Sequence, residues 1–227
     1  MSYIPRQNVT DMIKRTSEAE PSAEAPAPGS KDWHDPDPSR AIPFWASLRD
    51  DVICQVPPEQ RRLSAVGWAI LSARIALSSS GFKVTVAYRV NHTLVHRAGR
   101  PGRILAGVIS RATNTIFRSS IAPKARLHGG LVLPHPHGLM IGSGVVVGPR
   151  TWIYQNVTMG GTYGKAGEPT VGADCRIYTN AVIGGPVTVG DGVVVSPNSL
   201  VQRSVPSRSM AVGVPANVFP QFGKPKA

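Results

Sequence analysis

The sequence predicts a parallel β-helix made of six-residue repeats, preceded by a small α-helical domain. Three observations carry this prediction. β-branched residues recur at every sixth position from Val171 onward, the texture of the chain changes abruptly at residue 119, and apolar residues before that point recur at helical spacing.

The repeat is the strongest of the three. Val171, Ile177, Ile183, Val189, Val195 and Val201 keep the spacing without a gap. Four residues after each stand Cys175, Ala181, Val187, Val193, Ser199 and Val205, all small or β-branched. Upstream, Ile121, Leu127, Leu133 and Leu139 keep the same period, and Ile141, Val147, Ile153 and Met159 resume it after a two-residue phase shift. A period of six turns each short strand through a corner and lands the next branched residue in the same column, so stacked coils bury a continuous apolar shaft. Gly142, Gly148, Gly172, Gly184 and Gly190 follow the branched residues, where a corner with unusual dihedrals would favour glycine. The β-helix is expected over residues 119–206, with a C-terminal segment over 207–227.

Residues 41–118 read as helical. Pro43 suits a first helical position, and Trp45, Leu48 and Val52 follow at helical spacing. Ile70, Leu71 and Ala76 belong to a second segment closed by Ser78–Gly81. Pro101 opens the clearest helix, in which Ile104, Leu105, Val108, Ile109, Ala112 and Ile116 form one stripe. The stretch FKVTVAYRV fits strand and helix alike. Residues 1–40 are rich in Pro, Ala, Ser and acid, and are expected to be mostly disordered because they bury too little apolar surface to offset their ordering entropy.

Composition limits the function classes. The chain has 227 residues and a net charge of +12, with 13 basic against 3 acidic side chains between Arg49 and Arg126. Such a field favours anionic partners: a phosphorylated cofactor, an acidic polymer, or anionic lipid beside the apolar helix near Ile70. A helical cap with a solvated basic face is the alternative for that region. Nucleic acid is not expected, since no recognition motif or aromatic-interleaved basic stripe accompanies the charge. Two cysteines, Cys54 and Cys175, give neither a disulfide framework nor a metal signature and suit a cytoplasmic protein. No signal-peptide core or membrane-spanning run stands in the sequence.

The residues AYRVNHTLV, SSIAPKARL, LPHPHGLMIG, QNVTMGGTYGK and AVGVPANVF together resemble the serine O-acetyltransferase branch of hexapeptide acyltransferases. The resemblance covers about residues 44–220 and reads FKVTVAYRV as helix. It implies a left-handed β-helix, a homotrimer with active sites between subunits, a dimer of trimers through the helical domain as a further arrangement, acetyl-CoA as donor and a hydroxyl as acceptor. His135 falls where the family keeps its general base, a role imidazole suits because its free pKa lies near ~6.5. By the same resemblance Gly161, Thr162 and Lys165 belong to the loop near the cofactor, Thr162, Thr179 and Ala181 line its pantetheine channel, and the closing segment 207–227 lies near it, while Lys165, Arg203 and Arg208 suit its phosphates by charge. His137 is expected to contact the acceptor.

The acceptor side departs from the family. Where serine O-acetyltransferases keep an aspartate in an Asp-Ile-His-Pro stretch, this chain reads Ser120, Ile121, Ala122 and Pro123; Pro134 replaces a second aspartate. Gly167 and Glu168 stand where an Arg-His pair would grip a carboxylate, and the aspartate for the amino group has no counterpart near Val56–Pro58. A glutamate there repels a carboxylate and suits hydroxyl donors, so the expected acceptor is a sugar or polysaccharide hydroxyl, or another small metabolite, with Ser120 and Glu168 contacting it. Serine itself is the alternative. A catalytically inactive scaffold and a zinc-binding β-helix are the others; no metal is expected, because Pro136 and Gly138 bend the histidine stretch and no third ligand accompanies it.

Overall fold

The structure, a computed structural model, describes residues 33–37, 40–56 and 65–220. Four helices lead the described fold: α1 (Phe44–Cys54), α2 (Ala65–Ser78), α3 (Ser80–Arg97) and α4 (Gly99–Phe117). A triangular prism of short strands follows. One face stacks β1 (Ser120–Ile121), β3 (Met140–Ile141), β6 (Thr158–Gly160), β9 (Val182–Gly184) and β12 (Leu200–Val201). The second stacks β2 (Arg126–Leu127), β4 (Val146–Val147), β7 (Thr170–Val171) and β10 (Thr188–Val189). The third stacks β5 (Trp152–Ile153), β8 (Arg176–Ile177), β11 (Val194–Val195) and β13 (Ser209–Val212), and β14 (Asn217–Pro220) adds to it antiparallel. All other strand pairs are parallel, as in the left-handed β-helix of hexapeptide proteins.

The six-residue column is the core. Val171, Ile177, Ile183, Val189 and Val195 are fully buried, and Cys175, Ala181 and Val193 fill the corners between them. The two-residue phase shift has a structural cause. Leu133 lies beside Ile153 through the parallel bridge of Val132 to Trp152, while Ile141 pairs with Met159. Leu139 is buried but belongs to the corner preceding Ile141, so the extra residues form the outward turn 134–138.

The glycines act differently from expectation. Gly142, Gly148, Gly172, Gly184 and Gly190 are absent from the positive-φ positions; left-handed residues sit instead in two columns, Gly138, Asn156, Asn180 and Asn198, and Gly130, Arg150, Asp174, Gly192 and Arg208. Asn and Asp tolerate this conformation better than other side-chain residues. In each column the N–H reaches back to the previous coil, as from Asn156 to His137 O at 2.9 Å and from Asp174 to Pro149 O at 2.9 Å. Gly148 and Gly172 are needed for close stacking: a Cβ on Gly148 would lie 2.5 Å from the carbonyl carbon of Gly172.

AYRVNH, at the centre of α3, caps the first coil. In β2, Arg126 N–H bonds to the next coil, so Ala125 and Leu127 point their backbone groups to the open side. Tyr88 Oη donates to Ala125 O at 2.7 Å and accepts from Leu127 N–H at 3.0 Å. Arg89 donates to Leu127 O and to His128 O, and both its Nε and Nη2 lie 3.0 Å from Asp51 of α1. Asp51 in turn accepts from Leu131 N–H at 2.8 Å. Burial raises the Asp51 carboxyl above its ordinary pKa despite Arg89. His92 has Nδ1 2.9 Å from Pro123 O and accepts at Nε2 from Ile42 N–H, which requires the neutral Nδ1–H tautomer. Burial and the neighbouring His96 push its pKa down to about 4.

Three expectations need correction here. The Ile104 stripe of α4 does not face the core: Ile104, Leu105, Val108 and Ile116 are exposed, and α4 packs through Gly102 and Ala106 instead, whose small side chains allow close approach to α3. In α1 the buried positions are Ser47, Asp51 and Val52, while Trp45 stands 78 % exposed beside a groove shared with α2. Finally, part of the segment expected to be disordered is docked. Trp33 N–H donates to Asp191 Oδ2 at 2.7 Å, and Asp35 pairs with Arg126 and lies 3.5 Å from His128 Nε2. The rest of that expectation, over residues 1–32 and 38–39, lies outside the described residues, as do residues 221–227 of the C-terminal segment.

Candidate active site

The turn 134–138 is built by its own sequence. Proline at 134 and 136 removes two backbone donors, and Gly138 adopts φ +70°, a conformation that relieves the turn of a Cβ where Asn156 Oδ1 sits 2.0 Å away. The backbone is pinned from both sides. Ser119, buried, donates through Oγ to Pro136 O and accepts from Leu139 N–H at 3.3 Å. Asn156 N–H holds His137 O. Pro136 is buried under the turn, while His135 and His137 are both exposed. Phe117, at the end of α4, lies beside His137 with ring centroids 6.2 Å apart. Tyr154 and Tyr178 stack at 4.9 Å along the same edge of the prism.

His135 therefore stands on a rigid backbone with its imidazole free. Among the described residues, no hydrogen-bond partner fixes its tautomer, neither a backbone carbonyl nor Ser120. Ser120 is exposed in β1 and its backbone pairs it with Met140. A base of this kind needs an orienting group, and the described residues of one chain do not supply it.

The other candidate residues fall on separate edges. Gly161, Thr162 and Lys165 belong to the projecting loop between β6 and β7, where Thr162 and Lys165 form an antiparallel bridge. Thr162 Oγ1 lies 3.0 Å from the position of a Cβ on Gly184 and 3.2 Å from one on Gly185, so these glycines make room for it. Arg203 follows β12 at the corner corresponding to that loop, two coils on. Thr179 lies on the His135 edge, next to the stacked tyrosines, and Arg208 on the third edge beside Gly192. The structure thus brings Gly161, Thr162, Lys165 and Arg203 to one edge and leaves Thr179 and Arg208 elsewhere.

Two candidate residues are placed otherwise than expected within one chain. Ala181 is fully buried in the prism core, so it lines no channel; its methyl fills a corner of the shaft. Glu168 does not reach toward His135. Its carboxylate folds over Gly142, whose Cβ position lies 2.1 Å from Oε2, at the opposite end of β3 from the histidine turn. Oε2 is buried there without a hydrogen-bond partner. Ser119, the buried strap of the turn, was not singled out in the sequence; its position directly before β1 carries no periodic signal. No group of three or more His, Cys, Asp or Glu among the described residues is placed to hold a metal ion.

Comparison with known proteins agrees with this fold. Residues 168–203 match the family described as Bacterial transferase hexapeptide (six repeats). The chain is 32 % identical over 152 residues to the serine acetyltransferase of Bacillus pumilus (strain SAFR-032), covering 66 % of this chain and 69 % of that one. It is 35 % identical over 145 residues to serine acetyltransferase 4 of Arabidopsis thaliana, covering 63 % of this chain and only 40 % of that one, well under half the plant protein. In structure it resembles a serine acetyltransferase from Brucella abortus strain S19 in complex with coenzyme A, with a TM-score of 0.67 and 28 % identity over 78 % of this chain and 68 % of that one.

Proposed function

Because the chain belongs to the serine acetyltransferase family of hexapeptide-repeat acyltransferases, which draw on acetyl-CoA, we propose that it transfers the acetyl group to the hydroxyl of L-serine, with His135 as general base. One observation carries the assignment of the base: His135 is presented, exposed, on a turn whose backbone is held by Ser119 and Asn156. A neutral hydroxyl is a poor nucleophile, so the imidazole takes its proton as the oxygen bonds to the thioester carbonyl carbon. The tetrahedral intermediate collapses by breaking the carbon–sulfur bond, and the imidazolium returns the proton to the departing thiolate.

The distribution of residues supports a site between copies of the chain. His135 and Thr179 occupy one edge of the prism, and the Thr162–Lys165 loop with Arg203 another. In a homotrimer of parallel prisms the histidine edge of one subunit faces a different edge of its neighbour. The neighbour then supplies both the loop that covers the cofactor and the group that orients His135.

A second reading has its own support. Ser120 and Pro134 stand where the family's aspartates stand, and the Glu168 carboxylate is engaged over Gly142 rather than offered to an ammonium group. These features favour an acceptor without an amino-acid headgroup, such as a sugar hydroxyl. The deciding experiment is thiol release from acetyl-CoA by the purified chain with L-serine, sugar nucleotides and oligosaccharides in parallel. Saturable turnover of serine establishes the first reading. Turnover confined to the sugars establishes the second, and failure to bind coenzyme A by calorimetry overturns both.

A further inference from the structure

We propose that the outer face of α4 docks on an anionic lipid surface. At 3.6 residues per turn the helix divides into three strips. Gly102, Ala106 and Ser110 face α3, the first two buried. Ile104, Val108, Leu105 and Ile116 form a second strip that is 72 %, 61 %, 49 % and 68 % exposed. Arg100, Arg103 and Arg111 line the third, on the other flank of Ile104, all exposed.

Such an arrangement is costly for a surface that meets only water. Contiguous exposed apolar side chains mark a surface with a partner. The charges decide which partner. α4 carries arginines and no acidic residue, so its field repels a second copy of itself and attracts a surface of opposite sign. An apolar strip beside an all-basic strip is the pattern of a helix lying in the plane of an anionic membrane, its aliphatic side chains among the acyl chains and its guanidinium groups at the phosphates. None of the helices described is long and apolar enough to cross a membrane, so the contact is peripheral. The histidine turn touches only the far end of α4, through Phe117, which leaves the Ile104–Val108 region clear of the site. The proposal does not depend on which hydroxyl is acetylated.

The test is co-sedimentation of the full chain with vesicles of phosphatidylcholine alone and of phosphatidylcholine with phosphatidylglycerol, at low and high salt. Binding is expected only to the anionic vesicles and is expected to weaken as salt rises. Arg100→Gln and Arg111→Gln are each expected to lower the partition about fivefold, and Ile104→Asp with Val108→Asp more than tenfold. All four positions are exposed, and circular dichroism with melting confirms that the variants fold. Absence of binding to anionic vesicles at low salt overturns the proposal, as does equal binding by the variants. So does a sedimentation-velocity result in which Ile104→Asp with Val108→Asp dissociates the assembly, since a second copy then covers the face.

Discussion

Arg89→Leu is expected to cost about 4 kcal/mol. Arg89 and Asp51 are buried to 2 % and 0 % side-chain exposure, and together they join α1 and α3 to the first coil. Removing the guanidinium leaves the Asp51 carboxylate buried with the backbone N–H groups of Leu131 and Gly130 but no counter-charge, and leaves Leu127 O and His128 O without their donor. Breaking one half of a buried ion pair costs about 3–5 kcal/mol, and each orphaned carbonyl adds up to about 1 kcal/mol unless water reaches it. In a chain of this size about 1 kcal/mol lowers the melting temperature by roughly 2–4 °C, so the expected loss is on the order of 10 °C. Asp51→Leu combined with Arg89→Leu should lose less than Arg89→Leu alone, because no charge is then left stranded. Burial already raises the Asp51 pKa, and losing Arg89 raises it further, so the deficit of Arg89→Leu should shrink toward acid pH as the carboxyl protonates in the folded state. The assay is thermal melting of Arg89→Leu, Asp51→Leu and the double variant at one protein concentration, since assembly shifts apparent stability. A loss below about 3 °C for Arg89→Leu, or a double variant worse than the sum of the singles, would refute this account of the clamp.

Three other outcomes follow from the structure. His135→Ala should lower kcat by about 10²–10⁴-fold while coenzyme A affinity by calorimetry stays unchanged, because the proposed base moves a proton during acetyl transfer and does not hold the bound cofactor. Since the folded-state pKa of His92 lies near 4 against an ordinary 6.5, its contribution is complete above about pH 6.5 and is lost as pH falls toward 4. The loss reaches about 3 kcal/mol and should be absent from His92→Gln, as urea unfolding of both proteins across that range will show. Gly148→Ala places a Cβ 2.5 Å from Gly172 C and should destabilise by about 1–3 kcal/mol in the same assay, whereas Asn156→Gly, which only relieves a left-handed φ of 57°, should be close to neutral.

The β-helix was legible because its physics is periodic. A column of apolar, mostly β-branched side chains six residues apart leaves a trace in a single sequence, from Ile121 to Val201, broken only by the shift after Leu133 and the loop after Gly160. The turn holding His135 left a trace too, as the phase shift between Leu133 and Ile141. The cap was not legible, because Tyr88, Arg89 and His92 act on backbone groups more than thirty residues away, and nothing local distinguishes a buried arginine from a solvated one. The α4 stripe misled for the opposite reason: apolar periodicity says which face is apolar, and not that something described covers it. Ala181 and Glu168 were matched by position alone. The first proved to be core, and the second is held in place by the room that Gly142 leaves.

The two ends of the prism are both finished. At one end, α3 side chains occupy the open edge of β2; at the other, Gly213 O accepts from Leu200 N–H and Ala216 N–H reaches Leu200 O, so the segment before β14 closes over β12. A stack of coils with bare ends is a polymerisation template, since any parallel strand of another molecule can extend it. Covering these two strand edges blocks the addition of a further parallel strand to either of them. A contact between copies made instead along the flanks would meet the edge from which the turn carrying His135 projects.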